Sequence, residues 1–258
     1  MNSALDLNSL IIQHAEDAEL SKDGMINDGI IATKLGLQGI PVSAELLILE
    51  RDLTLLEYNN CRYHISQISS ASSVEIIRER KNKVNFSCGV SINNLSLNEN
   101  DIGDFKTFLK LSPPLRTEDD RNALVQGLVD ETIDVIVSDH KPEDEENKRL
   151  TFAQAETGAS GIETLLPLSL ELYHNGSVNL ETIIKALTSS PAKILKINKG
   201  NLSIGNDADF CIVDINKPWV VRKEKLISKS KNTPIEDKKL QGKVMNTFVN
   251  GEELFKAE

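Results

Sequence analysis

Two short stretches place acid–base side chains directly after apolar runs. In residues 132–146 (TIDVIVSDHKPEDEE), Ile133, Val135, Ile136 and Val137 lead into Ser138, Asp139 and His140. Near the start, Leu10, Ile11 and Ile12 lead into Gln13, His14, Ala15, Glu16 and Asp17. Apolar runs rich in β-branched residues read as buried strands. A strand that ends in a carboxylate or an imidazole is what a parallel α/β barrel presents at its active face. Such groups exchange protons near neutral pH or hold a metal ion. The plain alternatives are a turn or cap role for Asp139 and a satisfied core imidazole for His14.

These groups need elements to position them. Residues 62–68 (RYHISQI) read as a strand whose alternation puts His64 and Ser66 on one face and Tyr63, Ile65 and Gln67 on the other. Residues 83–88 (KVNFSC) read as another strand. Pro41 and Ser43 introduce a helix with Leu46, Leu49, Leu53 and Leu56 on one face. A serine cluster at 69–73 is suited to capping a helix over 74–81. Thr117 with Asp120 three residues on is a capping-box start for a helix carrying Leu124, Val125, Leu128 and Val129. Strand and helix alternate up to the 133–137 strand, which predicts a parallel sheet with crossover helices.

Residues 22–39, punctuated by glycine, and the asparagine-rich residues 89–104 read as long loops. Residues 110–116 (KLSPPLR) cannot be helical across Pro113 and Pro114. The acidic run 143–146 reads as a solvated loop, interrupted by Lys148 and Arg149. Helices are expected over 163–173, 180–187 and 192–195. From residue 199 the composition changes to short strands at 210–213, 219–221, 243–249 and 254–255, with Asn250-Gly251 as a hairpin signal. The expected organisation is a barrel-type unit over residues 1–197 and a small β unit over 198–258.

Composition bounds the function. The 258 residues are 40% hydrophobic and 26% charged, enough for a globular core. A net charge of −10 argues against a general nucleic-acid binder, which needs a basic face. No stretch approaches the roughly 18 apolar residues of a membrane span, and residues 1–20 lack the basic region and apolar core of a signal peptide. Cys61, Cys88 and Cys211 are odd in number and far apart, so neither a disulfide framework nor a thiolate zinc site is suggested. A cytoplasmic protein with free cysteines is expected.

Taken in order, the segments resemble the C-terminal part of a dihydroorotase, type I bacterial group, of the amidohydrolase superfamily. They are HAED at 14–17, LGLQGIP at 35–41, AELLILERDL at 44–53, RYHISQIS at 62–69, SPPLR at 112–116, IDVIVSDHKPE at 133–143, GIETLLPLSLEL at 161–172, SSPAKIL at 189–195, GNLSIGNDADF at 200–210, SKSKNTP at 228–234 and LQGKV at 240–244. The resemblance implies an α/β fold, the C-terminal half (strands five to eight) of a (β/α)8 TIM-type barrel plus a small β appendage. It implies reversible hydrolysis of the cyclic amide of dihydroorotate to carbamoyl-aspartate, in pyrimidine biosynthesis. Zinc would activate water there.

By the same resemblance, Asp139 takes the place of the metal-touching general base, His14 that of a metal ligand after the fifth strand, and Gly158 that of a substrate contact. Four family positions are substituted: Gln67 stands where a histidine ligand is expected, Asn94 ends the segment that replaces PHH, Ser112 replaces the asparagine of NPPLR, and Glu143 replaces the second histidine of DHAPH. The sequence contains no HxH pair, which the resemblance places upstream of Met1 together with the metal-bridging residue. His64 and His140 are the candidates for a third ligand. If Gln67 and Asp139 follow the sixth and eighth strands, Cys88 follows the seventh. Three readings stay open: a small-molecule hydrolase of the dihydroorotase type, a catalytically inactive scaffold for aspartate transcarbamoylase or for self-association, and a truncated, non-functional product.

Overall fold

A computed structural model describes residues 1–257. The chain runs α1 (Asn2–Asp6), β1 (Leu10–Gln13), β2 (Ile26–Asn27), α2 (Ile30–Leu35), β3 (Gly39–Ile40), α3 (Ser43–Asn59), β4 (Arg62–Ile68), α4 (Ala71–Arg80), β5 (Ser87–Ser91) and α5 (Ile92–Ser96). It continues with α6 (Glu118–Val129), β6 (Val135–Val137), α7 (Glu145–Lys148), α8 (Leu165–His174), α9 (Leu180–Leu187), α10 (Ser189–Leu195), β7 (Phe210–Val220), β8 (Lys239–Val249) and β9 (Glu252–Lys256).

The sheet β1-β4-β5-β6 is wholly parallel. Helices α3, α4 and α6 are its crossovers. Leu49, Leu53 and Leu56 of α3, Val74 and Ile77 of α4 and Leu124 and Leu128 of α6 share one buried core with Ile65, Ile68, Cys88 and Val90 of the strands. This is the burial that lets central parallel strands carry near-continuous apolar runs. Side-chain caps precede α4 and α6, and α4 begins at Ala71, three residues before the expected start at 74. The Ser70 side chain accepts from the Ser73 amide ahead of α4, and Thr117 forms a reciprocal capping box with Asp120 ahead of α6.

Two expected loops are structured. Residues 22–39 contain α2 and the two-residue parallel ladder β2–β3, with Gly29 and Gly36 bounding the helix rather than dissolving it. Residues 89–104 contain α5 and a 3-10 turn over Glu99–Ile102, capped by Ser91 and by an Asn98–Asp101 box. Polar residues that suggest a loop are here the caps of short buried helices. The strand expected at 83–88 instead runs Ser87–Ser91. Gly89 lies inside it because a Cβ there would meet Ser66 O at 2.5 Å.

The acidic run is not purely a solvated loop. It leads into α7, whose Lys148 is buried, its ammonium capped by Thr107 O at 2.9 Å and Glu156 O at 2.6 Å. Strands β7, β8 and β9 form an antiparallel sheet in which the Asn250-Gly251 turn joins the last two, with strands longer than the sequence suggests. Between β7 and β8, Val221, Leu226 and Ile235, and then Leu240 of β8, enter the main core. No helix among the described residues is long and apolar enough to cross a membrane.

Candidate active site

Four parallel strands present their C-terminal ends side by side, and each delivers a polar side chain. His14 follows β1, Gln67 lies near the end of β4, Ser91 ends β5 and Asp139 follows β6. The segment carrying Ser112 crosses over them. Gln67 Nε2 donates to Asp139 Oδ1 at 3.3 Å and to Ser112 O at 3.1 Å. The Ser91 hydroxyl donates to Asp139 Oδ2 at 3.5 Å. His14 Nε2 lies 3.2 Å from Ser112 Oγ and 3.3 Å from Glu16 Oε2, and Ser112 Oγ donates to Glu16 Oε2 at 3.1 Å. A continuous chain of contacts thus joins Glu16, His14, Ser112, Gln67, Asp139 and Ser91.

The electrostatics are asymmetric. The hydrogen bond that His14 makes to Glu16 raises it above the ordinary imidazole value, against the effect of burial. The same bond pulls Glu16 down to about 2. Asp139 is pushed upward by burial, opposed by the Gln67 hydrogen bond and the His14 charge. Its backbone sits at φ +47°, a left-handed conformation that Asp tolerates better than most residues and that recurs at functional sites. A carboxyl group displaced toward neutral pH can both accept and return a proton.

The other expected residues separate. His140 Nδ1 faces the Gly161 amide at 3.2 Å, so it holds the next loop and not the site. His64, three residues before Gln67 on β4, bonds Ser87 Oγ at 2.8 Å through Nδ1 and is lowered by burial. Neither reaches Asp139 as a third ligand. Cys88 is fully buried within β5, its thiol pushed up to about 12 by burial, and Ser91 takes its place at the strand end. Asn94 is buried beneath the proline segment, donating to Pro114 O at 2.9 Å. The Glu143 amide and carbonyl engage Asn232 and Ser230. A Cβ on Gly158 would meet Lys141 O at 2.6 Å, which accounts for the glycine by packing. Sequence reasoning missed Ser91 and Glu16. Glu16 was visible two residues after His14; Ser91 was hidden by ending its strand at Cys88.

The amidohydrolase family model matches residues 1–254. The chain belongs to the amidohydrolase family. It is 42% identical over 253 residues to the dihydroorotase of Ehrlichia canis, covering 97% of this chain and 57% of that protein. It is 40% identical over 257 residues to the dihydroorotase of Anaplasma phagocytophilum, covering 99% and 58%. Among solved structures it matches the L-hydantoinase of Arthrobacter aurescens at TM-score 0.88 and 26% identity, over 99% of this chain and 59% of that one. The dihydropyrimidinase of Brevibacillus agri shares the fold at TM-score 0.86 and 21% identity, over 97% and 57%. The fold is therefore of the TIM-barrel α/β type. The chain spans under two thirds of the length of these relatives.

The zinc that the family implies does not fit the donors of this amidohydrolase chain. Zinc is held by histidine, carboxylate or thiolate side chains, and of this chain's strand-end side chains only His14 and Asp139 are of that kind. The place of the expected histidine ligand holds a glutamine whose N–H faces Asp139. Among the described residues, no group of three or more His, Cys, Asp or Glu is placed to hold a metal ion.

Proposed function

We propose that this chain is the C-terminal part of a dihydroorotase-like cyclic-amide hydrolase. Strands β1, β4, β5 and β6 take the places of strands five to eight of a (β/α)8 barrel. Residues 1–197 form the barrel portion and residues 198–258 the β unit docked on it. The observation that carries this reading is the convergence of His14 and Asp139 at the strand ends of a chain 42% identical to a dihydroorotase.

In this reading Asp139 is the acid–base group. Its raised pKa suits it to take the proton of an attacking water and pass it to the amide nitrogen as the ring opens. His14, whose imidazole is raised above its ordinary value by its hydrogen bond to Glu16, would when protonated lend positive charge to the oxygen of a tetrahedral intermediate. Gly158, in the segment after α7, is the substrate contact that the resemblance proposes. The substrate class is a small cyclic amide carrying a carboxylate, dihydroorotate or its product carbamoyl-aspartate.

The test is ring opening of dihydroorotate by the purified chain and its Asp139→Asn variant. Turnover lost in Asp139→Asn supports the reading; turnover equal in both sinks it. The Gln67 amide on Asp139 favours a second reading, an inactive scaffold for aspartate transcarbamoylase. Co-elution with that enzyme, in the absence of turnover, would replace the first reading with the second.

A further inference from the structure

We propose that in this chain an amide stands in for the metal: Gln67 and Ser91 occupy the two oxygens of Asp139, and the site is a closed hydrogen-bond network rather than a zinc site. This goes beyond the hydrolase reading, because it concerns what sits on Asp139 whether or not any substrate is turned over.

The orientation of the Gln67 amide is dictated by its neighbours. Its nitrogen faces Ser112 O at 3.1 Å and Asp139 Oδ1 at 3.3 Å. Ser112 O can only accept, so rotating the amide would set its oxygen against that carbonyl oxygen with no proton between them, whether or not Asp139 is protonated. An N–H donor therefore points at Asp139 from the place where the family resemblance puts a ligand. A metal approaching Oδ1 meets this donor. The second oxygen, Oδ2, takes the Ser91 hydroxyl. His14 Nε2 is turned onto Ser112 and Glu16, so ligation through that nitrogen would have to break both contacts. Gln67 is 8% exposed, so its amide has little access to water as an alternative partner. Breaking the Gln67–Asp139 contact thus leaves a buried donor unsatisfied, which resists metal entry.

The inference also predicts how to reverse the arrangement. Gln67→His replaces the donor with an imidazole beside Asp139 and near His14, giving a set of two histidines and one carboxylate that zinc accepts. The experiment uses the 258-residue chain stripped with chelator and titrated with zinc chloride. Bound zinc per chain and the thermal midpoint are read without substrate, so a chain that turns over no dihydroorotate leaves the result unaffected.

The expected result is no saturable zinc uptake dependent on Asp139 in the parent chain. Gln67→His should take up one zinc, with apparent affinity on the order of tenfold or more above the parent and a midpoint that climbs with zinc concentration. Adding Asp139→Asn should abolish the gain. Stoichiometric zinc in the parent chain that is lost in Asp139→Asn overturns the proposal. So does a Gln67→His variant that melts cooperatively and binds no more zinc than the parent. Should Gln67→His fail to fold, the comparison of the parent chain with Asp139→Asn decides alone.

Discussion

His14, Ser112 and Glu16 invite comparison with a serine-type triad, and the geometry refuses it. A triad uses both ring nitrogens, one for the hydroxyl and one for the carboxylate. Here Ser112 and Glu16 both meet Nε2. The arrangement instead pairs an imidazole with a carboxylate at the mouth of the sheet. His14 is raised, so its contribution to stability is fully present below about pH 6.5 and is lost as pH rises through its folded value. Glu16 is lowered to about 2, so its contribution is present above its ordinary value of 4.5 and is lost as pH falls toward 2. The pair therefore acts between those limits. Its partial exposure, 39% for the His14 side chain and 25% for Glu16, keeps the effect small. In an NMR titration of the imidazole protons, His14 should titrate above the free value, and Glu16→Gln should bring the midpoint down. An unchanged midpoint would remove Glu16 as the cause.

At the scale of elements, strand β5 depends on one missing side chain. The ideal Cβ of Gly89 falls 2.5 Å from the Ser66 carbonyl oxygen of β4. Backbone inside a paired sheet cannot step aside as a flexible side chain would. Gly89→Ala should cost about 1–3 kcal/mol, as overpacking does, and move the urea midpoint accordingly. It should also disturb Ser91 two residues on. Helix α7 carries a buried lysine. Lys148 ties the 107 carbonyl to the 156 carbonyl, and burial lowers it to about 8. Its neighbouring charges are Glu143, Lys110, Lys141 and Glu156. A lysine protonated more readily in the unfolded chain makes stability rise with pH between about 8 and about 10.4. That rise should flatten in Lys148→Met, measured as urea midpoints across the range.

At the scale of the molecule, the two proposed units share a core. Val221, Leu226, Ile235 and Leu240 pack into the same cluster as the strands of the parallel sheet. Trp219, the single tryptophan, donates to Gly242 O at 3.0 Å within the β7–β8 pair and reports on the tail. Its fluorescence transition in urea should coincide with the far-ultraviolet circular dichroism transition of the helices. Two separated midpoints would mean that the tail unfolds as an independent unit. The parallel sheet also has β1 and β6 as open edges among the described residues, with Ile12 of β1 55% exposed.

Much of this was legible in the chain itself. The strand 62–68, the 180–187 helix and the Thr117 capping box follow from local patterns of apolar residues and caps. His14 and Asp139 follow from their places after apolar runs. These features depend on near neighbours, so sequence carries them. What needed the tertiary structure depends on distant partners. Gly89 could look like a loop residue until the Ser66 carbonyl was seen against it. Lys148 could look solvated until two carbonyls from other segments capped it. Gln67 could look like a failed ligand until its amide was found on Asp139. Each of these was decided by a group far away in the chain, brought within hydrogen-bond or van der Waals distance only when the strands lay side by side.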